Sequence, residues 1–218
     1  MANKFFCLIC FCLLTLANQV TGQTFQRTYG STAGDIGRQI VSTYDNSFVA
    51  VGLYGATEGV YLIKVDSLGN TIWQKTFNPP NMLSFHNDYS IKQTPDSGFI
   101  MAGSIYYTMG NAIHICLIKT NSAGDTLWTK QYGGPNLGYY KGVAYDVIVT
   151  SDGGYAVGGT EIGSSNKNVF LLKTDNNGNV QWAKYYGGTS DDEGYSLKQT
   201  SDSGYIIAGY TYSFGQGG

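Results

Sequence analysis

The densest run of acidic side chains in this 218-residue chain consists of Asp191, Asp192 and Glu193. Carboxylate oxygens suit Ca²⁺, but a calcium site needs about six to eight oxygen ligands from an organised loop. Elsewhere in the chain only Asp35 corresponds to a member of this run, Asp192. We therefore predict a solvated acidic loop, with a calcium site as the alternative interpretation.

Three lysines, Lys64, Lys119 and Lys173, follow apolar runs of the same kind. A ring of such lysines can bind an anion. A lysine stem can also lie along apolar surface while its ammonium group reaches water or a turn carboxylate. We expect the second arrangement, with anion binding as the alternative.

His86 and His114 are the two histidines of the chain, and neither has a second histidine or a cysteine at a metal-binding spacing. No Gly-x-Ser-x-Gly sequence supports a serine nucleophile. The sequence therefore predicts no catalytic residue, no metal and no cofactor, and we expect that the protein is not an enzyme.

Tyrosines near the longer connections are the better candidates for ligand contacts. Tyrosine brings a large surface and a polar hydroxyl to an interface at low entropic cost. Packing within the protein is the alternative role for these side chains. The candidates for contacting a glycan or a protein are Tyr107, Tyr139, Tyr140 and Tyr212, beside Tyr106 and Tyr210.

The composition points to many short strands joined by tight turns. Glycine accounts for 30 of the 218 residues, about twice its usual share of ~7%, and charged residues for 13%, about half of the usual ~25%. The chain also holds 18 tyrosines and 10 phenylalanines, which favour strands. A net charge of −2 gives no field for attracting nucleic acid or an anionic membrane, so neither is expected as a partner.

Residues 1–22 have the features of a secretory signal peptide. Lys4 precedes an apolar run over residues 5–16, and small residues stand before Gln23. The run is too short to span a membrane. We predict cleavage between Gly22 and Gln23, which gives a secreted or outer-surface protein whose only cysteine, Cys116, has no disulfide partner.

One stretch of sequence recurs three times, at residues 60–73, 115–128 and 169–182. Its final tryptophans, Trp73, Trp128 and Trp182, are 128 − 73 = 55 and 182 − 128 = 54 residues apart. Such spacing is typical of repeat proteins. The predicted domain covers residues 23–218, with repeats at about 25–73, 74–128, 129–182 and, in part, 183–218.

Each repeat contains four apolar segments of no more than about eight residues, which fit strands rather than helices. Two of the four connections are tight and the other two are longer, which places the boundary between sheets at a longer one. In the tight turns, aspartate can accept hydrogen bonds and glycine can supply a positive φ. The segment that ends near Lys64, Lys119 or Lys173 begins apolar on both faces, as expected of a sheet covered on both sides by neighbouring sheets. The third segment, for example residues 204–209, is apolar on both faces, which is typical of an inner strand. The tight turns between the second and third segments lie at residues 44–47, 95–98, 151–154 and 201–204.

These features predict an all-β fold, a β-propeller-type array of four-stranded antiparallel blades. The sequence supplies about three and a half repeats, whereas propellers close with about four to eight blades. We therefore expect an incomplete propeller, as in a piece of a longer protein or in chains that complete one another.

The combined pattern resembles the β-propeller repeats of Bacteroidota secreted and surface proteins. The resemblance rests on residues 185–188, 192–196 and 200–209 and on the stretch that ends in each tryptophan, and it covers residues 25–218. It implies a secreted or surface protein. It also implies that the remaining blades, and a C-terminal sorting domain for type IX secretion, belong to a longer parent chain. The resemblance supplies no catalytic residues.

The function expected from the sequence is a non-catalytic module at the cell surface that binds or scaffolds a glycan or a protein. The first alternative is part of a propeller glycoside hydrolase or lyase, in which carboxylates from different blades converge. The second is a passive spacer within a large surface protein.

Overall fold

The computed structural model describes residues 26–30, 34–55, 59–77, 82–107, 112–133, 142–163 and 165–215. These residues form fourteen antiparallel β-strands in four sheets and contain no α-helix. Among them there is accordingly no helix of the length and apolarity that crossing a membrane requires. The all-β prediction is confirmed. The predicted signal peptide lies outside the described residues.

The strands follow the chain through the sheets without crossovers. The first sheet contains β1 (Ile36–Ser42), β2 (Phe48–Tyr54), β3 (Gly59–Val65) and β4 (Thr71–Phe77). The second contains β5 (Met82–Gln93), β6 (Phe99–Tyr107), β7 (Ala112–Thr120) and β8 (Thr126–Tyr132). The third contains β9 (Gly142–Val149), β10 (Tyr155–Ile162), β11 (Lys167–Thr174) and β12 (Val180–Tyr186). The fourth contains β13 (Asp192–Gln199) and β14 (Tyr205–Thr211).

The sheets change at the longer connection that follows each tryptophan-bearing strand. Trp73, Trp128 and Trp182 therefore lie inside the last strand of the first, second and third sheets. One strand is much longer than the sequence predicts, because β5 has 12 residues. Its pairing with β6 shifts register twice, so extra residues bulge out of the ladder.

In the first sheet the strand that carries Lys64 is the third, and it is covered on both faces, as predicted. All seven residues of β3 are buried. Val60 and Leu62 face a core shared with the second sheet, while Tyr61 and Ile63 face the opposite core. Since neighbouring side chains of a strand point to opposite faces, a strand buried on both sides must be apolar throughout.

Apolar cores lie between successive sheets. Leu62 and Phe99 belong to the core between the first and second sheets. Leu117 and Phe170 belong to the core between the second and third. A smaller core around Leu197 joins the third sheet to the fourth. Each fully buried leucine contributes about 1.5–3 kcal/mol, so these cores hold the sheets together.

The first strands of the sheets are linked by a repeated polar contact. In each case a side chain of one first strand accepts a hydrogen bond from a backbone N–H of the next. The three bonds run from Ile91 N to Gln39 Oε1 (2.6 Å), from Val147 N to Ser90 Oγ (3.2 Å) and from Leu197 N to Asp146 Oδ2 (2.9 Å).

The tight turns between second and third segments confirm one prediction and correct another. The aspartate carboxylate accepts a backbone N–H, as expected, for example from Gly98 to Asp96. The positive φ, however, lies one residue before the predicted glycine, at Ser97 (63°) and Ser203 (67°). Gly98 is required for a different reason, because a Cβ there would stand 2.1 Å from the Thr120 carbonyl oxygen.

Candidate functional site

The three repeated lysines form ion pairs with the turn aspartates. This confirms the expected arrangement, in which the stem is buried and the ammonium group reaches a turn carboxylate. Each lysine is buried, yet its ammonium group reaches the carboxylate of the turn in its own sheet. Hydrogen bonds from Thr150 and Lys173 lower the pKa of Asp152 from 3.8 to about 2. The pairs are Lys64 with Asp45 (2.6 Å), Lys119 with Asp96 (2.9 Å) and Lys173 with Asp152 (2.9 Å).

The predicted solvated acidic loop is wrong for two of its three residues. Asp192 and Glu193 begin strand β13 and are only 2% and 6% exposed. Asp192 accepts hydrogen bonds from Thr211 Oγ1, Ser213 Oγ (2.6 Å) and the Gly188 N–H (2.9 Å). These bonds join the connection before β13 to the residues after β14.

The carboxylates of the acidic run are directed to different partners. Asp191 accepts a hydrogen bond from the Lys167 N–H at 2.9 Å, whereas Glu193 binds the Lys167 ammonium group at 2.6 Å. Within the part of the chain that the structure describes, no three His, Cys, Asp or Glu side chains are grouped to hold a metal ion. The calcium interpretation of Asp191, Asp192 and Glu193 therefore has no ligand cluster in this part of the chain.

Glu193 is the centre of a hydrogen-bonded group of side chains. Besides Lys167, it accepts bonds from the hydroxyls of Tyr195 and Tyr210, both at 2.7 Å. Burial raises the pKa of Glu193, but the bonds from Lys167, Tyr210 and Tyr195 outweigh that effect and lower it. The carboxylate is therefore ionised at neutral pH, and it raises the pKa of the Tyr210 hydroxyl that donates to it.

Four tyrosine rings contact one another in a row beside Glu193. We call Tyr145, Tyr195, Tyr210 and Tyr212 the tyrosine ladder. The ring centroids of Tyr145 and Tyr195 are 4.9 Å apart, those of Tyr195 and Tyr210 6.0 Å, and those of Tyr210 and Tyr212 5.2 Å. Tyr195, Tyr210 and Tyr212 are 43%, 37% and 75% exposed. The ladder is thus an accessible aromatic surface.

Local β-bulges place two of these rings. The β9–β10 register skips Tyr145, and the β13–β14 register skips Tyr195. A bulge re-aims the side chain of the extra residue, which lets rings from different strands meet. The sequence prediction included Tyr210 and Tyr212, and it placed Glu193 in a solvated acidic loop, but it missed Tyr145, Tyr195 and the role of Glu193 beside them. The recurrence of tyrosine at this position of the repeat was the available signal.

Most of the other predicted candidates lie, wholly or in their side chains, outside the described residues. Tyr107 ends β6, where its backbone pairs with Met82, and its side chain lies outside the described residues. Tyr139 and Tyr140 lie outside them altogether, as does the side chain of His86. His114 is half-buried in β7, and burial lowers its pKa.

A second feature is a groove of about 930 Å³ beside β14. We call it the open groove. One side consists of residues from the third sheet, and the other of residues from β14 and the turn before it, together with Glu193 of β13. Among the described strands β14 pairs only with β13. The groove is therefore bordered by a strand edge that has no neighbour in the part of the chain that the structure describes. The lining residues include Leu171, Trp182, Lys184, Tyr186, Tyr205 and Ile207.

Comparison with solved structures finds a similar chain in a protein of unknown function from Bacteroides caccae, with a TM-score of 0.50 and 12% sequence identity. The match covers 84% of this chain and 56% of that protein, so this chain spans little more than half of its length. At this identity the similarity concerns the fold alone. No protein-family model and no curated protein sequence matches the chain.

Proposed function

We propose that the chain is a non-catalytic binding module of an exported protein, built as a β-propeller-type array, and that the tyrosine ladder contacts a glycan or a protein partner. The observation that carries the proposal is the ladder itself: four rings in mutual contact, of which three are more than a third exposed.

A held aromatic row suits binding because little freedom is lost when a ligand docks on it. Two hydroxyls of the ladder, those of Tyr195 and Tyr210, are fixed on Glu193 before any ligand arrives. Tyrosine rings offer apolar faces to sugar rings or apolar side chains, together with polar edges. Preorganised side chains of this kind reduce the entropic cost of association.

The state of Glu193 supports binding over glycoside hydrolysis. A glycosidase needs one carboxylic acid with a raised pKa to protonate the leaving group. The pKa of Glu193 is lowered instead, because Lys167 and two tyrosine hydroxyls donate to it. This carboxylate is suited to holding the ladder in position.

The proposal can be tested with residues 23–218, the predicted exported chain, on a glycan array and against surface proteins of the producing cell. Tyr212→Ala should weaken the binding that is found by about tenfold, because the most exposed ring of the ladder is lost. Tyr44→Ala is the matched control, since Tyr44 is 68% exposed but lies in the turn between β1 and β2.

Two outcomes would contradict the proposal. One is that neither assay finds a ligand. The other is that Tyr44→Ala and Tyr212→Ala weaken binding equally, which would place the contact elsewhere.

A further inference from the structure

The open groove resembles, in its lining residues, the space between the second and third sheets that β11 fills. Between the second and third sheets, the corresponding space holds β11, whose Phe170 and Leu172 pack against Ile115 and Leu117. In the open groove the equivalents of Ile115 and Leu117 are Val169 and Leu171, which line the groove. Leu171 is already buried in the core with Leu197, but Val169 is only half-buried, and no described strand takes the place of β11 beside them.

From this we propose that the open groove binds a β-hairpin of another polypeptide chain. Its first strand adds to the free edge of β14, carries apolar side chains on alternate positions and ends in a lysine. Its turn contains glycine flanked by Asp or Asn. Tyr210 and Glu193 belong both to the tyrosine ladder with its carboxylate and to the lining of the open groove, whereas Tyr212 is not part of that lining. Substitution of Tyr212 therefore separates this inference from the ligand proposed for the ladder.

Asp202 is the residue that indicates a lysine at the end of the added strand. Its carboxylate accepts hydrogen bonds from Thr200 Oγ1 and from the Gly204 N–H, the same turn contacts that Asp152 makes with Thr150 and Gly154. The turn aspartates of the first three sheets also bind a buried lysine of the third strand. Asp202 has no ion pair among the described residues, so its carboxylate is in position for a cation on an added strand.

The space beside Gly204 agrees with this assignment. A Cβ at Gly154 would stand 2.2 Å from the Thr174 carbonyl oxygen and 2.5 Å from the Lys173 ammonium nitrogen. A Cβ at Gly204 would meet only atoms of its own turn, the nearest being Thr200 Oγ1 at 2.8 Å. The fourth turn thus leaves open the place that the third strand and its lysine occupy in the third sheet.

Three residues of β12 specify the turn of the hairpin. Their equivalents in β8 surround Gly178, the turn glycine of the third sheet: a Cβ there would meet Trp128, Lys130 and Tyr132, each at 3.0 Å. Lys130 also donates to Asn179 at 3.1 Å, and the Tyr132 hydroxyl donates to the Gly178 carbonyl at 2.7 Å.

The equivalents of these residues, Trp182, Lys184 and Tyr186, all line the open groove. Trp182 packs on Tyr205, and the Lys184 ammonium group lies 5.4 Å from the Trp182 ring. No hydrogen bond joins the Lys184 ammonium group or the Tyr186 hydroxyl to another described residue. A hairpin turn that contains glycine and Asp or Asn would supply contacts for Trp182, Lys184 and Tyr186.

The chain's own hairpin provides a probe of the required chemistry. A synthetic peptide of residues 167–186 carries the alternating apolar strand, Lys173, the turn glycine Gly178 and Trp182. Titrated into residues 23–218, it should bind saturably at one site per chain, measured by fluorescence anisotropy of a labelled peptide. Hydrogen exchange at the β14 amides should slow, because the added strand pairs with this edge.

Charge reversal tests the pairing with Asp202. Asp202→Lys should weaken peptide binding by about tenfold or more, because like charges then face each other. A peptide with Lys173→Glu should bind Asp202→Lys more tightly than it binds the wild-type chain. Asp202 is exposed, so circular dichroism should show an unchanged fold in the variant. Tyr212→Ala is the control that should leave peptide binding unchanged.

The inference is overturned if the peptide does not bind saturably, or if it binds wild type and Asp202→Lys with equal affinity. It is also overturned if the chain forms a dimer that excludes the peptide, because the groove is then covered by the folded surface of a second copy and not by an added hairpin. Loss of ladder binding in Tyr212→Ala with peptide binding retained supports both proposals, and either can fail without the other.

Discussion

The junction between the second and third sheets and the junction between the third and fourth use the same residues in different surroundings. Trp128 at the first junction packs on Tyr155, and Trp182 at the second packs on Tyr205. Of these two tryptophans, only Trp128 also lies beside a described turn glycine, Gly178, where an added Cβ would stand 3.0 Å from the Trp128 ring. The comparison shows that the outer strand of a sheet is completed by the turn of the next sheet, so an added hairpin would complete the second junction in the same way.

The largest expected effect comes from the two tryptophans. Trp128→Ala should lower the free energy of unfolding by about 3 kcal/mol, since it removes a large side chain packed on both sides. Trp182→Ala should cost about half as much, because one side of its ring faces the open groove. Urea unfolding monitored by circular dichroism measures both. Equal losses of unfolding free energy in the two variants would contradict this difference between the junctions. Binding of the peptide 167–186 should bring the two losses closer together.

The next largest effect on stability is expected from substitution of the turn aspartates. Asp152→Ala leaves Lys173 buried without its carboxylate and should cost about 2 kcal/mol, less than a fully buried pair because Asp152 is half-exposed. Asp202→Ala removes only turn contacts and should cost less. A larger loss in Asp202→Ala would mean that this carboxylate already has a cation partner.

Asp152 and Asp202 should also differ in how much they contribute to stability at low pH. The pKa of Asp152 is lowered from 3.8 to about 2, so its carboxylate stabilises the fold above pH 4 and loses that contribution as the pH falls from about 4 to about 2. The melting temperature of the wild type should fall over this range. Asp152→Ala should show a shallower decrease. Hydrogen bonds from Thr200 and Gly204 also lower the pKa of the exposed Asp202, so Asp202→Ala should lie between Asp152→Ala and the wild type.

The smallest effect is expected from two tyrosine hydroxyls. Tyr132→Phe removes a buried bond to the Gly178 carbonyl and should cost about 1–2 kcal/mol. Tyr186→Phe should leave stability unchanged, since Tyr186 is 48% exposed and its hydroxyl lines the open groove. Thermal unfolding of both variants tests this prediction. A lower melting temperature of Tyr186→Phe would contradict the expected difference between the hydroxyls of Tyr132 and Tyr186.

The sequence was sufficient for the features that depend on local pattern. The alternation of Val60 to Val65 predicted a strand buried on both faces, and β3 is buried throughout. The lysine after each apolar run predicted a buried stem with a turn carboxylate as its partner, as found for Lys119 and Asp96. These features follow from residues within one repeat.

The features that the sequence did not predict depend on residues far apart in the chain. Asp192 can be buried because Thr211 and Ser213 donate hydrogen bonds to it, and no local sequence pattern predicts those partners. The tyrosine ladder forms because two bulges turn Tyr145 and Tyr195 toward each other. A bulge changes which face a side chain occupies, so strict alternation assigns such residues to the wrong side.

The contacts between first strands have a directional consequence. Gln39, Ser90 and Asp146 are chemically different, yet each accepts a backbone N–H from the sheet that follows. Since every amino acid except proline carries that group, the donor side of the joint sets almost no condition on sequence. Units duplicated or exchanged along such a chain would therefore dock in the same orientation, and the array could lengthen in one direction without redesign of the joint.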